Sequence, residues 1–206
     1  IQSSQAFLNL YLNMGKLPEA MKCLKALIAE EFPGMPVAVC ANLPYYITSP
    51  IIMRLLEGPL PIRSLTVMVQ KEAAVRITAA PGTRECGAIS AAVWYYSTPK
   101  LLFPVSRGSF LPAPAVDSAV IRLDLPQELP EDLPPREDFF AVVRAGFGQR
   151  RKTMLNSLSA GLRWEKDATR ALLTAAGIAE NARAEQVTLE QWKALTRAYF
   201  SMKKSR

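Results

Sequence analysis

The sequence predicts an α/β domain followed by a small all-helical one, and three observations carry that reading. Between residues 34 and 125, short apolar runs alternate with segments of helical spacing, the order expected of a sheet that begins parallel and has helices packed on it. Pro126 to Arg136 holds four prolines and four acidic or amide residues, the composition of a linker. The charge changes at the same place: residues 1–135 carry 11 Lys/Arg and 11 Asp/Glu, whereas residues 136–206 carry 14 and 7, so the net +7 lies in the last 71 residues. The predicted organisation is therefore a domain over 1–125, a linker over 126–136 and a helical domain over 137–206.

The elements follow in order. Pro36 to Ala41 is a short apolar run stopped by Asn42-Leu43-Pro44, as expected of a buried parallel strand that ends in a loop. Ser49 and Pro50 can cap and start a helix, Ile51, Ile52, Leu55 and Leu56 recur at helical spacing, and Gly58-Pro59 stops it. Ser64 to Val69 reads as the next strand and Gln70 to Thr78 as a helix broken by Pro81-Gly82. Ile89 to Tyr96 is mostly helical in pattern, although Val93 to Tyr96 also suits a strand. Lys100 to Val105 and Ala119 to Leu125 read as strands. The link between them, Phe110 to Val116, is extended because each proline fixes its own φ and restricts the residue before it.

Helical segments are expected over Asp138–Phe147, Lys152–Leu158, Glu165–Ala176 and Thr188–Met202. The last is opened by the capping box Thr188-Leu-Glu-Gln191. Trp94, Trp164 and Trp192 are expected in the core.

Composition excludes several chemistries. The chain has no histidine among its 206 residues, which removes Ser-His-Asp and Cys-His catalysis, His-ligated zinc and any imidazole base. Cys23, Cys40 and Cys86 are odd in number and widely spaced, so no metal site is expected, and reduced thiols in a cytoplasmic protein are. No apolar window approaches the roughly 18 residues of a membrane span, and the start lacks the order of a signal peptide. A soluble monomer without membrane contact is expected. The basic last third points to a polyanion-binding surface, or to a helical domain that is basic for solubility.

The most informative tetrapeptide is Asn42-Leu43-Pro44-Tyr45, at the carboxyl end of a predicted strand. Ligands of open α/β sheets bind there. Proline stiffens the loop, so the Asn42 side-chain oxygen and the Leu43 carbonyl form a fixed set of acceptors beside the Tyr45 ring. Such a set can hold an exocyclic amine while the ring stacks on the base that carries it. Read alone, the same tetrapeptide is also that of an Asx-type turn after a strand.

Other blocks accompany it: Gln70-Lys71-Glu72 with Arg76, Phe110-x-Pro-x-Pro-x-Val-Asp-Ser-Ala-Val-Ile-Arg122, Phe147-x-Gln-Arg-Arg-Lys-Thr-Met-x-Asn-Ser157, and Arg183-Ala-Glu185. With Asn-Leu-Pro-Tyr-Tyr-Ile-Thr-Ser49 and in this order, they resemble the small-subunit ribosomal RNA adenine N6,N6-dimethyltransferase family across roughly residues 24 to 200. The large-subunit adenine methyltransferases share the Asn-x-Pro-Tyr loop and lack the Val-Asp-Ser and Gln-Arg-Arg-Lys blocks. The resemblance implies a Rossmann-like class I methyltransferase domain, incomplete at its amino-terminal side, and an S-adenosylmethionine-dependent enzyme. Its partner would be small-subunit ribosomal RNA or the assembling small ribosomal subunit. Two alternatives are a non-catalytic RNA-binding assembly factor and a large-subunit methyltransferase.

By the same resemblance, Asn42, Leu43, Pro44 and Tyr45 are catalytic and Asn42 also touches the cofactor. Arg144, Gln149, Arg150, Arg151, Lys152 and Arg183 bind RNA; the run Gln149 to Lys152, at a predicted helix start, opposes the helix dipole and so suggests an external anion. Lys71, Glu72 and Arg76 are expected to form an ion-pair set that fixes their helix, and Asp117-Ser118 a turn into the final strand.

The resemblance also implies a Gly-rich turn and an acidic ribose-binding residue before the Asn42 loop. The first 35 residues contain only Gly15 and Gly34. Gln5, Phe7 and Leu8 resemble an amino-terminal Gln-x-Phe-Leu motif, yet only 35 positions separate Phe7 from Asn42, too few for several strand-helix-strand units of about 30 residues each. A fragment is expected, or joined pieces with a junction near Met21 to Lys25, and with them a cofactor site that holds no ligand.

Overall fold

The computed structural model describes residues 16–131 and 133–204. Gln5, Phe7, Leu8 and Gly15 lie outside the described residues. The described residues divide into two compact units, those up to 78 with 96–127 and 79–95 with those from 128 onward.

The first unit is built on a four-stranded mixed sheet. Helix α1 (Leu17–Glu31) has Pro18 in its first turn, where a missing N–H costs nothing. Sequence reading passed over this helix; Met21 to Lys25 lies inside it without a break. Strand β1 (Val37–Asn42) is followed by a single 3-10 turn and helix α2 (Thr48–Glu57). Strand β2 (Ile62–Gln70) runs directly into helix α3 (Lys71–Thr78). Strands β3 (Thr98–Val105) and β4 (Ser118–Asp124) complete the sheet, in the order β1-β2-β4-β3.

Strands β1 and β2 are parallel, with Asn42 opposite Met68, and β4 is antiparallel to both β2 and β3. The parallel start and paired finish match the sequence reading. Leu65, Val67, Val69, Ile121 and Leu123 of the two central strands are fully buried and alternate with half-buried Thr66, Met68 and Val120 and exposed Arg122, so one face of the sheet carries the core and the other is more open. This register gathers Asn42, Gln70 and Ser118 at one edge of the sheet, because Gln70 faces Ser118 across β2 and β4.

Helix α2 begins at Thr48, not at Ser49-Pro50. The Thr48 hydroxyl donates to the Pro44 carbonyl at 3.1 Å, which folds the helix start back onto the loop after β1.

The second unit is helical: α4 (Ala88–Tyr96, whose last residue falls in the first unit), α5 (Arg136–Phe147), α6 (Met154–Leu162), α7 (Lys166–Ala175) and α8 (Leu189–Lys204). Residues 88–96 are thus a helix, which resolves the strand alternative. Phe139, Val142, Met154, Leu158, Leu172, Leu173, Trp192 and Leu195 form its core. Tyr95 packs on Phe139 with ring centroids 4.6 Å apart, and its hydroxyl donates to the Pro134 carbonyl. Trp192 is fully buried as expected, whereas Trp94 and Trp164 are only half-buried.

The box at α8 forms as its residues predict. The Thr188 N–H donates to Gln191 Oε1 at 3.1 Å and the Gln191 N–H to Thr188 Oγ1 at 3.3 Å. Another predicted boundary is corrected: α6 starts at Met154 rather than Lys152. The Met154 and Leu155 N–H groups donate to the carbonyls of Ala182 and Glu180, so first-turn donors that an α-helix leaves open are satisfied from another segment.

Candidate functional site

The loop Asn42 to Tyr45 leaves β1 at the carboxyl end of the parallel pair. The Leu43 N–H continues the ladder by donating to the Met68 carbonyl at 3.1 Å, and the Leu43 side chain is buried. The Pro44 carbonyl accepts from the Ile47 N–H and the Thr48 hydroxyl. With its backbone tied before and after, the loop has little freedom, and Asn42 stands exposed at its start.

Asn42, Leu43, Pro44 and Tyr45 line one cavity of about 350 Å³, completed by Phe110, Pro112 and Pro114. The half-buried Tyr45 carries a hydroxyl 2.7 Å from the Oγ of fully buried Ser118. That hydrogen bond anchors the phenol end of the ring and fixes its position in the cavity wall. Ser118 opens β4 opposite Gln70, so the sequence reading of a turn into the strand missed its part in holding Tyr45. Phe110 and the two prolines were visible only as parts of a motif; their convergence on Tyr45 is tertiary.

The Gln70-Lys71-Glu72 block sits beside this cavity. Glu72 pairs with Arg76 at 3.1 Å one helical turn on, the ion pair foreseen for α3. Lys71 has no carboxylate partner among the described residues. Its backbone N–H donates to the Asp117 carbonyl at 3.0 Å, tying the start of α3 to the segment before β4.

Arg144, Gln149, Arg150, Arg151, Lys152 and Arg183 are all exposed. The run Gln149 to Lys152 occupies the turn between α5 and α6 and not a helix start, so the dipole argument for it does not hold. The turn is closed by the Lys152 N–H donating to the Gln149 carbonyl at 2.9 Å. The bond from Met154 N–H to Ala182 carbonyl, 2.7 Å, brings the chain just before Arg183 against this turn. Arg144 lies in the last turn of α5, where a cation is favoured by the helix dipole.

None of these five cations pairs with a carboxylate among the described residues. Other basic side chains of the same unit do: Arg170 with Asp167 and Glu180, Lys193 with Glu190, and Lys203 with Asp138. The exposed cations of this turn, with Arg144 and Arg183, are thus not neutralised by carboxylates of the described residues.

No group of three or more His, Cys, Asp or Glu residues placed to hold a metal occurs among the described residues. All three cysteines are free, Cys86 buried and Cys40 exposed. No described helix is long and apolar enough to cross a membrane.

Residues 16–200 match the family model for ribosomal RNA adenine dimethylase. The chain belongs to that family. It is 52% identical over 174 residues to a ribosomal RNA small subunit methyltransferase A of Alkaliphilus oremlandii, an alignment covering 84% of this chain and 60% of that protein. The counterpart in Alkaliphilus metalliredigens is 49% identical over 176 residues, covering 84% and 61%. The chain thus spans about 60% of the length of these curated relatives.

Among solved structures, a dimethyladenosine transferase from Plasmodium falciparum superposes with a TM-score of 0.64 at 20% identity, over 92% of this chain and 80% of that one. The 23S rRNA methyltransferase ErmE does so with a TM-score of 0.60 at 27% identity, over 88% and 78%. The fold of this member of the family is the Rossmann-like α/β methyltransferase fold followed by helices.

The cavity residues fit the acceptor side of a methyl-transfer site. The lining residues include an asparagine, a backbone loop stiffened by Pro44 and a Tyr45 ring held by Ser118, and none of these groups competes with a base nitrogen for an electrophilic methyl. Among the described residues no strand is followed by a Gly-rich turn, so the remainder of an S-adenosylmethionine site has no counterpart in them.

Proposed function

We propose that this chain carries the base-binding side of an S-adenosylmethionine-dependent ribosomal RNA adenine N6,N6-dimethyltransferase. It acts as a cytoplasmic monomer on two adjacent adenines of a small-subunit RNA hairpin during ribosome assembly. The observation that carries the reading is the convergence of Asn42, Leu43 and Tyr45 on one cavity, with Tyr45 anchored to Ser118.

An adenine N6 is a poor nucleophile because its lone pair is delocalised into the ring. Hydrogen bonds donated by N6 to the Asn42 side-chain oxygen and the Leu43 carbonyl favour a pyramidal nitrogen, with its lone pair directed out of the base plane. The Tyr45 ring stacks on the extruded base, a contact worth about 1–3 kcal/mol on comparable platforms. S-adenosylmethionine, which Asn42 would touch, supplies an activated methyl group on a sulfonium. The chain needs no imidazole for this chemistry and has none, since the alkylated amine is acidic enough to release its proton to water.

The unpaired cations Arg144, Arg150, Arg151, Lys152 and Arg183 bind the RNA backbone. They supply affinity and salt dependence, and the shape of the RNA supplies selectivity. The test is incorporation of labelled methyl groups into small- and large-subunit RNA. Label in the small-subunit RNA, lost in Asn42→Ala, is expected; an Asn42→Ala protein with full activity overturns the assignment of the loop.

A further inference from the structure

A second cavity, of about 580 Å³, is lined in part by the same chain segment as the first. It is the larger of the two and falls within the roughly 300–1,000 Å³ of ligand sites. The two share their framework. From one segment, Phe110, Pro112 and Pro114 line the first cavity, while Arg107, Val116 and Asp117 line the second. Tyr45 of the first is bonded to Ser118, the neighbour of Asp117. The start of α3 closes the second cavity with Gln70, Lys71 and Val75.

Its chemistry is that of a nucleotide site. Val75 and Val116 are exposed apolar side chains, suited to cover the face of a base, and the Gln70 amide offers both donor and acceptor to a base edge. Two carboxylates also line the cavity, but both are engaged. Glu72 accepts from Arg76 at 3.1 Å, and Asp117 Oδ1 accepts the Arg107 N–H at 3.0 Å. The cations are less committed: Lys71 has no carboxylate partner among the described residues, and the Arg107 guanidinium spends one donor on the Ala115 carbonyl at 3.3 Å. Arginine has five such donors in a fork that matches a phosphate.

We infer that this cavity is a second nucleotide subsite, which holds the residue adjacent to the methylated adenine, with Lys71 and Arg107 on the intervening phosphate and Val75, Val116 and Gln70 on the base. The inference rests on the reading of the Asn42 cavity as the base site. A strand with one base in the first cavity reaches the second along the Arg107–Asp117 segment, which lines both. The Pro-restricted segment between Arg107 and Asp117 keeps the spacing of the two constant. The subsite favours a target with two neighbouring bases drawn out of their stack, so that the second adenine is held while the first is modified.

The experiment is fluorescence anisotropy of the full chain with a labelled single-stranded RNA containing two adjacent adenines, and with versions in which either adenine is made abasic. Lys71 and Arg107 are both exposed, so Lys71→Ala and Arg107→Ala should retain the fold, as checked by circular dichroism. Each is expected to weaken binding and to lower the slope of log affinity against log salt by about 0.7, the value for one lost phosphate contact on a single strand. Val116→Asp should remove the penalty for one abasic position, and Tyr45→Ala the penalty for the other. If Tyr45→Ala alters binding while the Lys71, Arg107 and Val116 variants match the parent, the second subsite is overturned and the first cavity stands. If none of the four changes binding, both readings fail.

Discussion

The hydroxyl of Tyr45 lies 2.7 Å from the Oγ of Ser118, a hydrogen bond between residues 73 positions apart that couples the loop after β1 to the first residue of β4. Ser118 is fully buried, and Tyr45 presents its ring to the cavity. The bond therefore acts on ring position more than on ring chemistry. Ser118→Ala and Tyr45→Phe should each lower methyl transfer by a few-fold, the effect of one hydrogen bond worth about 0.5–1.5 kcal/mol. The double variant should lose little more than either single one. A double-mutant cycle on the transfer rate measures this; fully additive losses would show that the two residues act separately.

That bond also marks the limit of what the sequence discloses. Asn42 to Tyr45 is legible because a proline and an asparagine interrupt an apolar run, which are local signals. Ser118 is not, since its partner is distant along the chain and its neighbours suit an ordinary strand start. The same holds for α6. Residues 152 and 153 continue a helical pattern, yet the helix begins at Met154 because carbonyls of Glu180 and Ala182 take its leading N–H groups. Helix α1 carries a local signal, Pro18 followed by apolar residues at helical spacing, and it runs through Met21 to Lys25 without a junction. The basic cluster was legible as composition, whereas its lack of carboxylate partners required the structure.

Removal of the unpaired cations should act on RNA affinity without base selectivity. Arg150→Ala, Arg151→Ala and Lys152→Ala are each expected to weaken binding to structured and unstructured RNA alike and to reduce its salt dependence. Arg170→Ala, which removes a cation already paired with Asp167 and Glu180, should leave the salt slope unchanged. Equal effects from the paired and unpaired sites, read by filter binding across a salt series, would contradict this sorting of charges.

Cys40 and Cys86 should differ sharply in reactivity. Cys40 is exposed on β1, whereas Cys86 is buried and its thiol is pushed up from 9.0, chiefly by that burial. A thiolate is the reactive form, and the Cys86 thiol is both buried and held protonated, so the exposed Cys40 should alkylate in the native protein and Cys86 only after unfolding. Peptide mapping of iodoacetamide adducts in native and urea-treated protein reports the difference.

Asp124 gives a pH-dependent contribution of known sign. The Arg122 hydrogen bond at 2.6 Å, and secondarily Lys100, hold its carboxyl below 3.8. A folded-state value below the unfolded one adds stability above the unfolded value and loses it as pH falls through the folded one. The side chain is about a third exposed, so solvent screens the pair and the effect is about 0.2–1 kcal/mol. Asp124→Asn should destabilise the protein by that amount at neutral pH, and the difference should vanish in acid. Urea unfolding at a series of pH values tests it; a gap that persists below the carboxylate range would assign the effect to packing.

Gly161 is where the helical unit leaves no room. A Cβ there would stand 2.5 Å from Ala145 Cβ and 2.6 Å from Ala145 Cα, so α5 and α6 meet through two small residues. Ala145 Cα belongs to the backbone, and relief requires the helices to separate rather than a side chain to turn. Alanine gains about 1 kcal/mol over glycine in an open helix, while overpacking a close contact costs about 1–3 kcal/mol. Because the contact is with backbone, the cost should prevail and Gly161→Ala should destabilise. The movement would also shift the Gln149–Lys152 turn, which joins these two helices, so RNA affinity should fall with stability. A Gly161→Ala protein that is more stable to urea and binds RNA unchanged would mean that α5 and α6 can part without disturbing the turn between them.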